Sequence, residues 1–413
     1  MEAKLAPVIE GQRIDSLDVL RGFALLGILA MNIQAFSMIS AAYFNPTAYG
    51  DLTGANEWVW RITHVLVDMK FMAIFSMLFG AGIVLMTSRA ESRGQAVAGV
   101  HYRRMTWLIV FGLLHAHLLW YDDVLYWYGM CGLVVFLFRK LRPRWLLVWG
   151  LTSLAIGSAL MLSAGWSVQS WPQEALEGFL RDWHPTAELT AEEIAIYRGG
   201  WLEQMRHRVP EALEMQTSIF LFWAAWRVSG LMLLGMGLFK LGVFSAQRSR
   251  AFYTTLIAVA LLVGVPTILF GIKLNFAAGW DGTYSFFFGT QFNYWASISV
   301  SLGWVGLVML VCQKPNLSLL TRPFAAVGRM AFSNYILQTV VCTTIFYGHG
   351  FGTFGQVERV EQIAIVLGVW AFQLVISPIW LRYFLFGPLE WLWRSLTYWH
   401  RQPFRRTAPE PAG

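Results

Sequence analysis

Charged residues, paired cysteines and nucleotide-binding loops are scarce or missing in this chain. Charged side chains make up 13% of its 413 residues, about half the share of roughly 25% that soluble domains carry. Its three cysteines, Cys131, Cys312 and Cys342, lie in apolar stretches without paired spacing or companion histidines, which argues against a disulfide framework and a metal site. Gly80 and Gly82 lack the downstream Lys and Ser or Thr of a P-loop, so ATP hydrolysis is not expected.

Apolar residues are abundant instead. They form 56% of the chain, with 21 Trp and 30 Phe, and the mean hydropathy is +0.51. Continuous apolar runs lie at 17–40, 69–88, 105–121, 124–138, 145–166, 216–240, 251–272, 290–312, 325–346 and 361–385. Because these runs do not alternate as the strands of a membrane barrel do, they predict an all-α, polytopic bundle of about ten transmembrane helices. The first run is too long for a cleavable signal and should remain as a span.

The positions of Lys and Arg predict the orientation. Ten spans place both termini on one side, and 22 of the 31 basic residues fall on that side. Because basic residues that flank spans are retained in the cytoplasm, both termini are predicted to be cytoplasmic. Topology then accounts for the formal charge of +7, and no nucleic-acid partner is expected.

The runs divide the chain into four parts. These are a membrane half at 1–166, an external segment at 167–215, a second membrane half at 216–386 and a cytoplasmic amphipathic helix with a tail at 387–413. No soluble domain is evident, and no internal repeat of the kind found in many transporters can be recognised.

The external segment carries a capping-box pattern from Thr190 to Glu193, followed by helix-forming sequence as far as Arg208. Pro210 is expected to end this helix. The segment is therefore predicted to hold one short helix that lies on the membrane.

Polar residues in the first span are the first candidates for a site. Asp18 and Arg21 are three residues apart and can pair on one helix face, or Asp18 can cap the helix while Arg21 reaches the headgroups. Arg21 can alternatively bind an anionic cytosolic ligand together with Arg13, Arg103 and Arg104. Asn32, about eleven residues into the span, is expected to hydrogen-bond a neighbouring helix.

The sequence from His115 to Asp123 gives the sharpest candidate site. In a continuous helix these residues would be about 12 Å apart, but a turn around Trp120 to Asp122 would fold Asp123 back toward His115. A carboxylate-oriented imidazole suits a general base and also a proton relay. Alternatively, Asp123 caps the fourth helix while His115 bonds a carbonyl. His117 faces away from His115 and has a weaker claim.

The second span begins at Lys70, which we interpret as an anchor that reaches the membrane surface. His64 and Asp68 are four residues apart and form a secondary candidate pair. Gly80 and Gly82 are expected to allow close helix packing.

Asn334 and Gln338 form a polar stripe on the ninth span, which by default joins helices by hydrogen bonds. The stretch 387–397 begins with Pro in its first turn and predicts an amphipathic helix on the cytoplasmic surface.

Several of these motifs together resemble the YeiB family of bacterial inner-membrane proteins, which have no established activity. The resemblance spans essentially the whole chain, in order and with similar spacing. The motifs are LDVLRGFALLGILAMNIQAF at 17–36, the Asn45-Pro46 turn, Lys70-Phe71 leading to LFGAG at 78–82, His115 with Trp120 and DDVL at 122–125, GRMAFSNYILQT at 328–339 and GPLEWLWRSLT at 387–397. The resemblance implies a multi-pass protein of the bacterial inner membrane. Asp122 departs from the family pattern, which has Gly there, and leaves open which carboxylate partners His115.

A wider resemblance covers SLDVLRG at 16–22, which is similar to the opening of transmembrane acyltransferases related to heparan glucosaminide N-acetyltransferase. It implies acyl transfer from cytosolic acyl-CoA to an external sugar or lipid. In that group the catalytic His lies between the first two spans, where His64 is the nearest counterpart.

Two functions are predicted. The first is an acyl-CoA-dependent acyltransferase with His115 as base, Asp123 as orienting acid and Arg21 among the donor-binding cations. The second is a small-solute transporter in which His115 and Asp123 relay protons. A membrane scaffold or sensor ranks third, because the large hydrophilic domains of a receptor are absent.

Overall fold

The computed structural model describes residues 14–92 and 94–406. These residues contain helices and no β-strand, which confirms the all-α prediction. The helices are α1 (Asp15–Ser37), α2 (Ser40–Phe44), α3 (Gly54–Leu66), α4 (Lys70–Glu91), α5 (Ala98–Leu118), α6 (Val124–Val135), α7 (Pro143–Ser167), α8 (Gln173–Trp183), α9 (Ala187–Arg198), α10 (Trp201–Gln216), α11 (Ala225–Lys240), α12 (Arg250–Val259), α13 (Val265–Ala277), α14 (Gly282–Tyr284), α15 (Thr290–Cys312), α16 (Ser318–Arg329), α17 (Ala331–Phe346), α18 (Arg359–Tyr383) and α19 (Pro388–Tyr398).

Within the described part, seven helical stretches are long and apolar enough to cross a membrane. They are Asp15–Ser37, Gly54–Glu91, Pro143–Ser170, Trp201–Lys240, Arg250–Ala277, Gly282–Cys312 and Arg359–Tyr383. The other three predicted runs overlap α5, α6 and α17. Of these, α6 has 12 residues and α17 has 16, fewer than the roughly 20 that a bilayer core requires. The structure therefore supports a membrane protein with seven candidate spans.

Helix α1 occupies the middle of the bundle and packs on α4, α16, α17 and α18. The burial of α1 agrees with this position, because 78% of its most apolar window is buried, whereas the corresponding share for α7 is 28%. Polar residues on α1 therefore face other helices more than lipid.

Close packing at Gly80 joins α4 to α11. A Cβ atom on Gly80 would lie 2.0 Å from the carbonyl oxygen of Met232, a distance that no real side chain could occupy. The prediction for Gly80 is therefore confirmed, whereas the prediction for Gly82 is wrong, because nothing lies within 4 Å of a Cβ atom built there.

Residues 167–216 hold three α-helices, α8, α9 and α10, so the expectation of a single helix is corrected. Helix α9 begins at Ala187 and is capped by Thr186, not Thr190. Pro210 lies inside α10 and does not end a helix. A proline in mid-helix removes one backbone hydrogen bond, and flanking turns can continue the helix when packing holds them.

Candidate functional site

The turn between α5 and α6 brings His115 and Asp123 together. Helix α5 ends at Leu118 and α6 begins at Val124, so the chain reverses within five residues, as the sequence predicts. The Nδ1 atom of His115 lies 2.8 Å from Oδ1 of Asp123. The second carboxylate oxygen, Oδ2, accepts a hydrogen bond of 2.7 Å from the backbone N–H of Tyr126 and caps α6. Asp123 thus caps the helix and orients the imidazole at the same time.

Gly112 makes this close approach possible. It lies three residues before His115, on the same face of α5, and a Cβ atom there would be 2.3 Å from the backbone nitrogen of Tyr126 and 2.6 Å from Oδ2 of Asp123. Any larger residue would push α6 away from α5. The sequence analysis did not single out Gly112, and its spacing of three residues from His115 was the available signal for this part of the contact.

A residue from a distant part of the chain completes the cluster. The Nε2 atom of His115 lies 3.0 Å from the hydroxyl oxygen of Thr339 on α17, and the ring of Tyr335 stands 5.2 Å from the imidazole. The side chains of His115 and Asp123 are each 1% exposed. We call His115, Asp123 and Thr339 the closed cluster.

Asp122 does not contact the imidazole, and Asp123 is the partner of His115. Burial and the negative charge of Asp123 raise the pKa of Asp122 to about 7. Asp122 therefore changes its protonation state near neutral pH, in the loop beside the closed cluster.

A second carboxylate-imidazole pair lies at the junction of α3 and α4. His64 Nδ1 is 3.1 Å from Asp68 Oδ2, and the same oxygen accepts a hydrogen bond of 2.8 Å from Nδ2 of Asn293 on α15. The indole of Trp60 stacks on the imidazole with ring centres 5.3 Å apart. The His64 side chain is 22% exposed, and no partner for its Nε2 atom is found within the described ranges.

Lys70 stabilises this second pair through two hydrogen bonds. Its ammonium group donates to the backbone oxygen of His64 and to Oδ1 of Asn293, both at 2.6 Å. We call His64, Asp68, Lys70 and Asn293 the open cluster. The residue before Lys70, Met69, has a φ angle of +62°, a conformation that non-glycine residues rarely adopt and that turns the chain into α4.

Lys70 is 0% exposed, so the interpretation of it as an anchor at the membrane surface is wrong. The reason is a tertiary one, because the partners of its ammonium group lie inside the bundle and not at the headgroups. Arg227 on α11 is also 0% exposed and donates to the backbone oxygen of Tyr294 and the hydroxyl of Ser297. Two cations are thus buried close to Asp68.

Basic residues of α1, α5 and α19 lie close enough for their charges to interact. Arg21 Nη1 pairs with Asp18 Oδ1 at 2.8 Å, which confirms the predicted pairing, although α1 begins at Asp15 and Asp18 is not its cap. The charges of Arg21 and Arg394 act on Arg104. Arg104 also lies 4.6 Å above the ring of Trp393.

Arg103 and Arg13 are the two other cations that the sequence predicts for donor binding. The Nε atom of Arg103 is buried without a hydrogen-bond partner in the described part of the chain. Arg13 lies outside the described residues.

Asn334 and Gln338 form interhelical hydrogen bonds. Asn334 Nδ2 donates to Ser377 Oγ at 3.0 Å, and Gln338 Nε2 donates to Gln373 Oε1 at 3.0 Å. Both partners are on α18. Asn32, in contrast, is half-buried, and no hydrogen-bond partner for it is found in the ranges that the structure describes, so the expected bond to a neighbouring helix is not seen.

Sequence reasoning missed Thr339 and Asn293, because each is more than 200 positions from its partner. Thr339 ends a motif that the sequence singles out, but nothing in its spacing indicates His115. Asn293 belongs to a polar stripe on α15 with Ser297 and Ser301 at intervals of four, and this spacing was the available signal.

The residues that the structure describes contain no group of three or more His, Cys, Asp or Glu side chains that could hold a metal ion. The two His-Asp pairs are instead organised by hydrogen bonds. Each imidazole is oriented by a carboxylate, and that carboxylate is fixed by a further N–H donor.

Comparisons with known proteins place the chain among relatives without an assigned activity. A family model described as "Protein of unknown function (DUF418)" matches residues 238–400. Uncharacterized protein YeiB of Escherichia coli (strain K12) is 32% identical over 390 residues, which cover 94% of this chain and 96% of that protein. Uncharacterized protein YxaH of Bacillus subtilis (strain 168) is 30% identical, with 98% of this chain and 99% of that protein covered. An uncharacterized 39.9 kDa protein of Bacillus acidopullulyticus is 28% identical over 96% of this chain and 97% of that protein.

Proposed function

The chain belongs to the YeiB family, and on that premise we propose that it is a transmembrane acyltransferase. It transfers an acyl group from cytosolic acyl-CoA to a sugar or lipid on the external side of the bacterial inner membrane. The reaction needs a base near the external side that can take a proton from a hydroxyl group, and cations near the cytoplasmic side that can bind the phosphates of CoA.

The contact between Asp123, His115 and a hydroxyl group is the observation that carries the proposal. An ionised carboxylate only accepts hydrogen bonds, so Asp123 keeps the ring proton on Nδ1 of His115. The Nε2 atom is then the basic nitrogen, and it lies 3.0 Å from the Thr339 hydroxyl oxygen. This is within the hydrogen-bond reach that proton abstraction requires.

A ten-span topology, which is part of the proposal, would place the base near the external side and the cations near the cytoplasmic side. In this proposed arrangement α5, α6 and α17 cross the membrane together with the seven apolar stretches, although α6 and α17 are shorter than a typical span. The stretch Trp201–Lys240 crosses through its residues 216–240, and both termini are cytoplasmic. Residues 1–166 and 216–386 form the two membrane halves, residues 167–215 are external, and residues 387–413 lie on the cytoplasmic surface. The beginning of α5 is then cytoplasmic, and His115, near its end, lies toward the external side.

Arg21, Arg103 and Arg104 are the proposed donor-binding residues, with Arg13 assigned to the same role from the sequence. Arg21, Arg103 and Arg104 lie toward the cytoplasmic ends of α1 and α5 in the proposed topology. Asp18 neutralises part of the charge of Arg21, while Arg103 retains a buried N–H group without a partner in the described part of the chain. Guanidinium groups suit phosphate because they donate in a planar fork.

The test is acyl-CoA binding and turnover by the purified protein in lipid nanodiscs, with acetyl-CoA and palmitoyl-CoA as probes. We expect Arg21→Ala to weaken binding and His115→Ala to slow release of free CoA by about 10²–10⁴-fold, while His117→Ala behaves as wild type. Failure of the folded wild-type protein to bind either probe would reject the acyltransferase.

Proton-coupled transport of a small solute is the second candidate, and the buried charges of the open cluster favour it. Ionisable residues inside membrane segments are costly and mark ion or proton pathways in many transporters. Lys70 and Arg227 are 0% exposed and Asp68 is 9% exposed. Solute flux into proteoliposomes that depends on a proton gradient, is lost in Asp68→Asn and needs no acyl-CoA would favour this candidate.

A further inference from the structure

We propose that Thr339 is the nucleophile that receives the acyl group, so that transfer proceeds through an acyl-threonine ester within the membrane. The inference rests on the proposed acyltransferase function and names a covalent step in it. Asp123, His115 and Thr339 follow one another in a line of two hydrogen bonds, 2.8 Å and 3.0 Å long. An acid, an imidazole and a hydroxyl in this order activate the hydroxyl for attack on an acyl carbon.

The direction of the hydrogen bonds supports this assignment. Because Asp123 fixes the proton on Nδ1, Nε2 of His115 is the acceptor and the Thr339 hydroxyl is the donor. The bond therefore polarises the hydroxyl in the sense that a nucleophile requires. In a neutral imidazole the reverse direction would need the proton on Nε2 and would leave Nδ1 without one to donate to the carboxylate.

The behaviour of the other threonines shows that the bond to His115 is not the default for such a residue. Threonine hydroxyls within helices commonly donate to a backbone oxygen three or four residues earlier. On α17 itself, Thr343 and Thr344 both donate to the backbone oxygen of Val340. His115 is the only hydrogen-bond partner of the Thr339 hydroxyl within the described ranges, although carbonyls of its own helix are available.

The position of Thr339 suits an ester that must persist until an acceptor arrives. Thr339 is 1% exposed, and His115 and Asp123 are 2% and 3% exposed as whole residues, so bulk water is kept from the group. It lies eight residues from the start of α17 and seven from its end, which is about 12 Å and 10 Å along the helix axis. The ester would therefore form near the middle of the helix, between a cytosolic donor and an external acceptor.

Two balanced steps describe the transfer. In the first, Thr339 Oγ1 bonds to the thioester carbonyl carbon as its proton moves to His115 Nε2. The carbon–sulfur bond then breaks, and His115 returns the proton to sulfur, which gives free CoA thiol. In the second, the acceptor hydroxyl gives its proton to Nε2 and its oxygen bonds to the same carbon. The bond to Oγ1 breaks, and the proton restores the Thr339 hydroxyl.

The experiment uses the full chain in nanodiscs with acetyl-CoA and no acceptor. Wild type is expected to release CoA in a burst equimolar with protein and to carry one acetyl group on Thr339, identified by peptide mass spectrometry. Thr339→Ser should keep the burst and the adduct, Thr339→Val should lose both, and His115→Ala should slow the burst by at least about 100-fold.

Thr343→Val is the matched control, because Thr343 is a buried threonine one turn further along α17. It should behave as wild type, and the unfolding temperature of each variant checks that it folds. Normal CoA release by folded Thr339→Val would overturn the nucleophile but leave the acyltransferase standing, with direct transfer to the acceptor. Absence of CoA release and of binding in wild type would instead overturn the acyltransferase and the nucleophile together.

Discussion

The closed and open clusters contain the same pair of residue types in different surroundings. In the closed cluster both nitrogens of His115 have partners, Asp123 and Thr339, and the imidazole is 1% exposed. In the open cluster the imidazole of His64 is 22% exposed and only Nδ1 has a partner in the described ranges. The first arrangement aligns a buried hydroxyl with a base, whereas the second leaves one nitrogen of a partly exposed imidazole without a partner in the described ranges.

The carboxylates also differ in what holds them. Asp123 is fixed by the backbone of its own turn, through Tyr126, so the pair forms when α5 and α6 fold as a hairpin. Asp68 depends on Asn293 of the distant helix α15, and Lys70 fixes that asparagine in turn. The closed cluster is therefore local in origin except for its hydroxyl, while the open cluster requires the assembled bundle.

Removing the imidazole of each cluster in turn should give the largest difference in acyl-CoA turnover between the two clusters. We expect His115→Ala to lower acyl-CoA turnover by about 10²–10⁴-fold, the range that general acid-base catalysis contributes, and His64→Ala to lower it by less than about tenfold. Steady-state CoA release measures both variants. The opposite ranking would assign the base to the open cluster.

The next largest effect should be on stability, at Lys70. Lys70→Met removes a buried cation and leaves Asn293 Oδ1 and the His64 backbone oxygen without their donor, so we expect a loss of about 1–3 kcal/mol. Lys273→Met changes an exposed lysine and should stay within about 0.5 kcal/mol of wild type. Equal unfolding temperatures for the two variants would contradict the structural importance of the Lys70 contacts.

Asp123→Asn should reduce turnover by about 100-fold, because an amide no longer fixes the proton on Nδ1 of His115. Asp68→Asn is the parallel change in the open cluster and should have a smaller effect on turnover. The two variants are compared by CoA release at one pH. A loss of equal size in both would show that the clusters act together.

Asp122 should make the stability of the folded protein depend on pH. Because its pKa rises from 3.8 to about 7 on folding, the folded protein binds more protons than the unfolded chain between these values. Stability should therefore fall as the pH rises from about 4 to about 7 and level off above that. Unfolding temperatures of wild type and Asp122→Asn across this range test the point, and the variant should show a weaker slope.

His117→Ala should have the smallest effect. The Nε2 atom of His117 is 3.3 Å from Gln216 Oε1, and the residue is half-buried, so its loss should change stability by less than about 0.5 kcal/mol. Turnover should stay within threefold or so of wild type, since general-base effects are much larger. A loss comparable with that of His115→Ala would move the site to the other face of α5.

Local patterns predicted some contacts and failed at others for physical reasons. Asp18 with Arg21, and His115 with Asp123, were predictable because a helix turn or a tight loop sets their separation. The burial of Lys70 was not, because a lysine near a helix end can reach either the headgroups or the protein interior. The partner that decides between them, Asn293, lies 223 residues away.

The region around α8, α9 and α10 gives the same lesson for the fold. Its residues form helices as their composition favours, but Pro210 did not end a helix. Similarly, Asn32 is a polar residue in an apolar helix, yet no hydrogen-bond partner for it is found within the described ranges. Propensity and polarity limit what a residue can do, and neighbouring helices decide which option is realised.

The sequence by itself determined that the chain is a helical protein with apolar helices suited to a membrane, because hydrophobicity and helix periodicity are local properties. It also predicted the two His-Asp pairs as candidates, since each is held within one turn or one helix face. Only the tertiary structure decided that Thr339 completes one pair and that Asn293 and Lys70 complete the other. Those contacts join helices far apart in the chain, and the side-chain packing that selects them exists only when the bundle is assembled.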